Sequence, residues 1–132
     1  MQASATWVTK ERFVGVATSG HAIVTDASDP KLGNSPLELV LIGLCGCTAS
    51  DITTILRKKR EVFSLLEVHA KAERAPEPPM VFTAIKLLYR VSSTVSSKAM
   101  EDAVRLSREK YCSVSQMLSK TAEITDEIEY VD

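Results

Sequence analysis

A chain of 132 residues with 45% hydrophobic and 25% charged residues has the make-up of an ordinary globular protein and is long enough for one cored domain, 1–132. Its net charge of −1 supplies no nucleic-acid footprint, and three cysteines in a reducing compartment argue against a structural disulfide framework. The opening MQASATWVTK carries no apolar signal core, so a cytoplasmic, reducing environment is expected.

The first elements read as a three-stranded meander over about 6–26. Trp7 and Val8 start it, 13–18 continue it and 22–25 end it, with turns at Lys10-Glu11-Arg12 and Ser19-Gly20-His21. A polar loop, DASDPKLGN, then leads to a long helix over 35–60.

That helix is the organising element. Ser35 suits an N-cap, Pro36 the first helical position, and Glu38 the return arm of a capping box. Arg57, Lys58, Lys59 and Arg60 complement the dipole at the far end. At about 1.5 Å per residue the uninterrupted stretch spans roughly 36 Å. From Leu39 to Ala49 almost nothing is polar on any side, so this half is expected to be buried all round. The apolar run is shorter than the roughly 20 residues a bilayer requires, which argues against a membrane span. One small domain covers such a helix only with difficulty, so a partner subunit is the simplest cover. Gly43 and Gly46 would let neighbours approach closely.

Beyond the helix, 62–73 reads as a strand with Leu66, Val68, Ala70 and Ala72 on one face. The proline-rich 75–79 must be a loop. A second strand over 81–91, with Val81, Thr83, Ile85, Leu87, Tyr89 and Val91 on one side, completes a hairpin. An amphipathic helix over 96–110 follows, its stripe formed by Met100, Ala103, Val104 and Ser107. Ser113 with Gln116 forms a second capping-box pattern, so a short helix should begin at Ser113. The last strand runs over about 122–131. The fold class is α+β.

The cysteines carry the chemical interest. Cys112 falls just before a helix start, where free N–H groups favour a thiolate and lower the pKa. Cys45 and Cys47 are two apart on one helix and point about 200° apart, so they cannot pair with each other. Two readings stand: three buried small hydrophobes, or a reactive thiol with a resolving partner. Asp51, one turn beyond Cys47, would oppose a thiolate there. His21 and His69 lie in no metal-ligand spacing, and neither a metal nor a cofactor is indicated.

The order of a strand meander, SPLELVLIGLCGCTASDI, a hairpin and EKYCSVSQML resembles the OsmC/Ohr family of thiol-dependent hydroperoxide reductases, and most of all its compact YhfA-like branch. The resemblance covers nearly the whole chain. It implies an OsmC-like fold: an N-terminal β-meander, a long buried central helix, a β-hairpin, a second helix and a final strand, in an intertwined homodimer with the active site at the subunit interface. It further implies that Cys47, three turns after Pro36, attacks an organic hydroperoxide, that Cys112 resolves the product to a disulfide, and that a dithiol reductant regenerates the pair. Two positions depart from the family's peroxidases. Leu37 stands where they carry Glu, leaving Glu38 as the nearest carboxylate, and Arg12 is the one arginine before the helix to serve as their thiolate-activating cation. These departures keep a second expectation in play: an OsmC-fold protein without turnover, which senses redox state or binds a small apolar or electrophilic molecule. Neither nucleic acid nor membrane is an expected partner.

Overall fold

The computed structural model describes all residues, 1–132, as two compact units, 1–42 and 43–132. The first unit holds the meander: β1 (Ala3–Thr9), β2 (Arg12–Ala17) and β3 (Ala22–Asp26), antiparallel in the order β1-β2-β3. The sheet starts earlier than the apolar pattern suggests, because Ala3 and Ser4 find backbone partners in Ala17 and Val16. Gly20, with φ of +83°, takes the left-handed turn between β2 and β3 that a side chain would resist. At the end of β3, Asp26 is fully buried. Its carboxylate accepts hydrogen bonds from the N–H and hydroxyl of Ser28, the N–H of Leu32 and Nε of Arg12.

Helix α1 (Pro36–Lys58) begins as the capping signals require. The Glu38 N–H donates to Oγ of Ser35 at 3.2 Å, and the Ser35 N–H donates to Oε1 of Glu38 at 2.8 Å. The all-round burial read from the sequence is not present in the single chain. Leu44, Thr48, Ile52, Ile55 and Leu56 form one buried stripe, whereas Val40, Ile42, Gly43 and Gly46 are exposed. The bilayer argument is also corrected: at 23 residues the helix is long and apolar enough to cross a membrane by length and composition. Its buried stripe instead makes it the core helix of the second unit.

In that unit β4 (Leu66–Arg74) pairs antiparallel with β5 (Phe82–Ser92), and β6 (Glu123–Val131) pairs parallel with β5, in the order β4-β5-β6. β4 starts at Leu66 and not at 62, because the N–H groups of Ser64 and Leu65 donate to Oγ of Ser92 instead of to a strand ladder. A bulge at Glu73/Arg74 reverses the expected facing at the start of β5. Phe82 is buried there, while Val81 and Thr83 are exposed; from Ile85 onward the alternation matches the sequence pattern. Met100, Ala103 and Val104 of α2 (Ser97–Leu106) join Leu44, Ile52 and Leu56 in the core, with Ile85, Leu87, Tyr89 and Val91 of β5.

The parallel β5–β6 pairing needs a long crossover, and that crossover positions the site. Helix α2 ends at Leu106, short of the expected 110, and passes into a wide π-helical turn, Ser107–Tyr111. The Cys112 N–H donates to the Ser107 carbonyl at 2.8 Å, closing that turn, and α3 (Ser113–Leu118) follows at once.

Candidate functional site

The α1 register places Cys47 and Asp51 one turn apart on the same side of the helix. The π-helical turn delivers Cys112 to them. The sulfurs of Cys47 and Cys112 and a carboxylate oxygen of Asp51 all lie within 4.8 Å of one another. Cys112 is fully buried; Cys47 and Asp51 are half-buried. A π-type turn inserts one residue into helical spacing, and such bulges collect at functional positions.

Two hydrogen bonds fix this geometry. The Ser107 hydroxyl donates to Oδ2 of Asp51 at 2.9 Å, tying the π-helical turn to α1. The Ser115 N–H donates to the sulfur of Cys112 at 3.3 Å, so Cys112 itself caps α3. This corrects the expected cap at Ser113, whose supposed partner Gln116 instead donates to the Arg108 carbonyl at 3.0 Å. A thiol can take the cap position because its sulfur, like a hydroxyl, accepts from the third residue on.

The electrostatics at Cys112 also differ from the expectation of a lowered pKa. Burial raises its thiol pKa above the ordinary value; the hydrogen bonds from Ser115 pull it down, and the neighbouring Cys47 sulfur adds to the rise. A six-residue helix at a fully desolvated site does not outweigh the loss of water. Cys45 points away from this cluster and its thiol is likewise raised by burial.

A cavity of about 320 Å³ opens beside the cluster, lined by Asp51, Thr54, Ile55, Lys58, Leu106 and Tyr111 among others. It reaches the three-residue group through Asp51.

The other candidates from the sequence lie in the first unit, each with a partner there. Arg12 holds Asp26 through Nε at 2.9 Å, and Glu38 closes the capping box on Ser35. Asp51 was visible in the sequence as a neighbour of Cys47. Ser107 was visible only as part of the apolar stripe of α2, since nothing in the sequence marks a π-helical turn.

Residues 28–127 match the family model described as OsmC-like protein. The chain belongs to the OsmC-like family. Among OsmC-like relatives it is 41% identical to Protein YhfA of Escherichia coli (strain K12), over 99% of this chain and 98% of that protein. In structure it is similar to an OsmC-like protein from Mycoplasma pneumoniae, with a TM-score of 0.87 and 17% identity, over 99% of this chain and 96% of that one. It is also similar to an organic hydroperoxide resistance protein OsmC from Legionella pneumophila, with a TM-score of 0.74 and 15% identity, over 98% and 96% of the two chains. At such identities these two likenesses bear on fold, and the OsmC-like α+β fold is the one described above.

Proposed function

We propose that this OsmC-like protein is a cytoplasmic two-cysteine reductase of organic hydroperoxides. The observation that carries the reading is the approach of the Cys47 and Cys112 sulfurs to within 4.8 Å across α1 and the crossover. A pair of free thiols at that distance, one half-buried and one buried, can close to the S–S bond of about 2.05 Å by small side-chain and backbone shifts.

In this reading the Cys47 thiolate attacks the outer oxygen of R–O–O–H. An S–O bond forms, the O–O bond breaks, and the departing alkoxide takes a proton and leaves as alcohol. Cys47 is then a sulfenic acid. Cys112 loses its proton and attacks the Cys47 sulfur, releasing water and leaving the disulfide. A dithiol reductant, itself oxidised to a disulfide, returns both thiols. Cys47, being half-exposed, is the sulfur a peroxide reaches, and the buried Cys112 is the one shielded until the sulfenic acid forms.

The reading includes a homodimer. Val40 and Ile42 of α1 leave apolar surface uncovered in the single chain, and nothing stands within 4 Å of a side chain added at Gly43 or Gly46. A second copy packed on this face would bury it, remove water from the neighbourhood of Cys47, and place the site at a subunit interface.

Turnover of cumene hydroperoxide with a dihydrolipoyl or thioredoxin-type reductant tests the proposal. The reduced protein should consume peroxide catalytically, and Cys47→Ala should not. A protein that leaves the peroxide untouched has another function.

A second reading rests on two specific observations: burial holds the Cys112 thiol protonated, and Arg12, the available cation of the meander, is already engaged with Asp26. A redox sensor needs the disulfide but not rapid cycling. Stoichiometric oxidation without turnover would select it.

A further inference from the structure

The same three side chains that bring two sulfurs together also bring a carboxylate. We infer that Cys47, Asp51 and Cys112 form a binding site for a thiophilic divalent cation of the zinc class. This inference does not rest on the peroxidase reading.

The donor set is the first argument. Two cysteine sulfurs and one carboxylate oxygen are ligands zinc takes, whereas the hard cations calcium and magnesium prefer oxygen alone. Spacing is the second. Tetrahedral zinc, with bonds of about 2.3 Å to sulfur and about 2.1 Å to oxygen, holds its donors ~3.6–3.8 Å apart. The three donors here already lie within 4.8 Å of one another, so a modest side-chain rotation closes them on a cation.

The third argument is that two of the donors are oriented from behind. Ser107, itself buried, holds Oδ2 of Asp51 and leaves the other carboxylate oxygen free to ligate. The Ser115 N–H points at the Cys112 sulfur. Such outer hydrogen bonds aim ligands in protein metal sites. Finally, three protein ligands leave a fourth tetrahedral position for water or another small ligand, and Asp51 of the donor set also lines the neighbouring cavity.

Binding balances as M²⁺ plus two thiols giving a dithiolate complex and two protons, with the Asp51 carboxylate as third donor and no change of oxidation state. The consequence is exclusion. With both sulfurs bonded to the cation, neither is a free nucleophile, so in the loaded protein Cys47 and Cys112 resist hydroperoxides and alkylating agents alike, while Cys45 stays open to alkylation.

The test is titration of the fully reduced chain with Co²⁺ under anaerobic conditions, followed by Zn²⁺. One equivalent of Co²⁺ should produce intense sulfur-to-cobalt charge-transfer absorption that one equivalent of Zn²⁺ removes. Cys45→Ala should behave like the parent protein. Asp51→Asn should weaken Co²⁺ binding by about tenfold or more. Cys47→Ser, at a half-buried position that tolerates the change more readily than the buried Cys112, should cut the absorption sharply. Absence of charge-transfer absorption at stoichiometric Co²⁺ overturns the inference, as does absorption unchanged in Cys47→Ser. A protein that forms the Cys47–Cys112 disulfide with hydroperoxide yet shows no such absorption refutes the metal site and leaves the peroxidase proposal standing.

Discussion

The sulfur of Cys47, inside the central helix, lies within 4.8 Å of the sulfur of Cys112, the residue that caps α3. A whole hairpin and a helix intervene in the sequence between them. Burial is the main force on the Cys112 thiol and pushes its pKa up, so its thiolate is scarce at neutral pH. Resolution of a Cys47 sulfenic acid should therefore accelerate with pH, by about tenfold per unit while the pH stays below the thiol pKa. Trapping the sulfenic acid at successive pH values between about 6 and 9 reads this directly. A flat profile would mean that attack by Cys112 does not limit the step.

Cys45 and Cys47 sit two apart and do not share a face, so they should separate cleanly in function. Cys45→Ala should retain peroxide-dependent oxidation within about twofold and lose a little stability, on the order of 1 kcal/mol or less, from a small half-buried side chain. Cys47→Ala should abolish oxidation. Peroxide labelling that falls mainly on Cys45 would reverse the assignment.

The dimer proposal has an unusually direct probe in Gly43. A side chain there meets open space in the single chain, and replacing glycine inside a helix ordinarily stabilises it by up to about 1 kcal/mol. Gly43→Leu should nevertheless lower the sedimentation coefficient towards the monomer, because the new side chain would collide with a second copy. Unchanged association would place the interface elsewhere.

Asp26 sets the acid limit of the meander. Its carboxyl is held well below the usual range, chiefly by the Ser28 hydroxyl and then by the Leu32 N–H, with a smaller contribution from Arg12. A depressed folded-state pKa contributes stability that is present above the unfolded value of about 3.9 and is lost as the pH falls towards the folded one. Asp26→Asn should destabilise the protein at pH 7 and flatten its loss of stability below about pH 4. Urea unfolding at both pH values would show it; equal acid sensitivity in parent and variant would contradict it.

Much of the architecture was legible because local signals and tertiary needs agreed. Ser35, Pro36 and Glu38 make the capping interactions their sequence promised, and the stripe Met100, Ala103, Val104 and Ser107 is buried as its spacing requires. The misses arose where one residue was added or where a side chain replaced a backbone partner. The Glu73/Arg74 bulge swapped Phe82 for its neighbours, Ser92 kept 62–65 out of β4, and the π-helical turn shortened α2. The site itself was half legible. The cysteines stood out as residue types, but their meeting depends on that turn, which no propensity marks. The sign of the Cys112 shift was lost because a helix start is visible in sequence and desolvation is not.

Peptide mapping without reduction, after one equivalent of an organic hydroperoxide, tests the two-cysteine account most directly. The account predicts an intramolecular crosslink joining the Cys47 peptide to the Cys112 peptide, formed together with one equivalent of alcohol and absent in Cys112→Ala, where Cys47 should stop at the sulfenic acid. A crosslink through Cys45, or a protein whose three thiols all remain reduced, would contradict it.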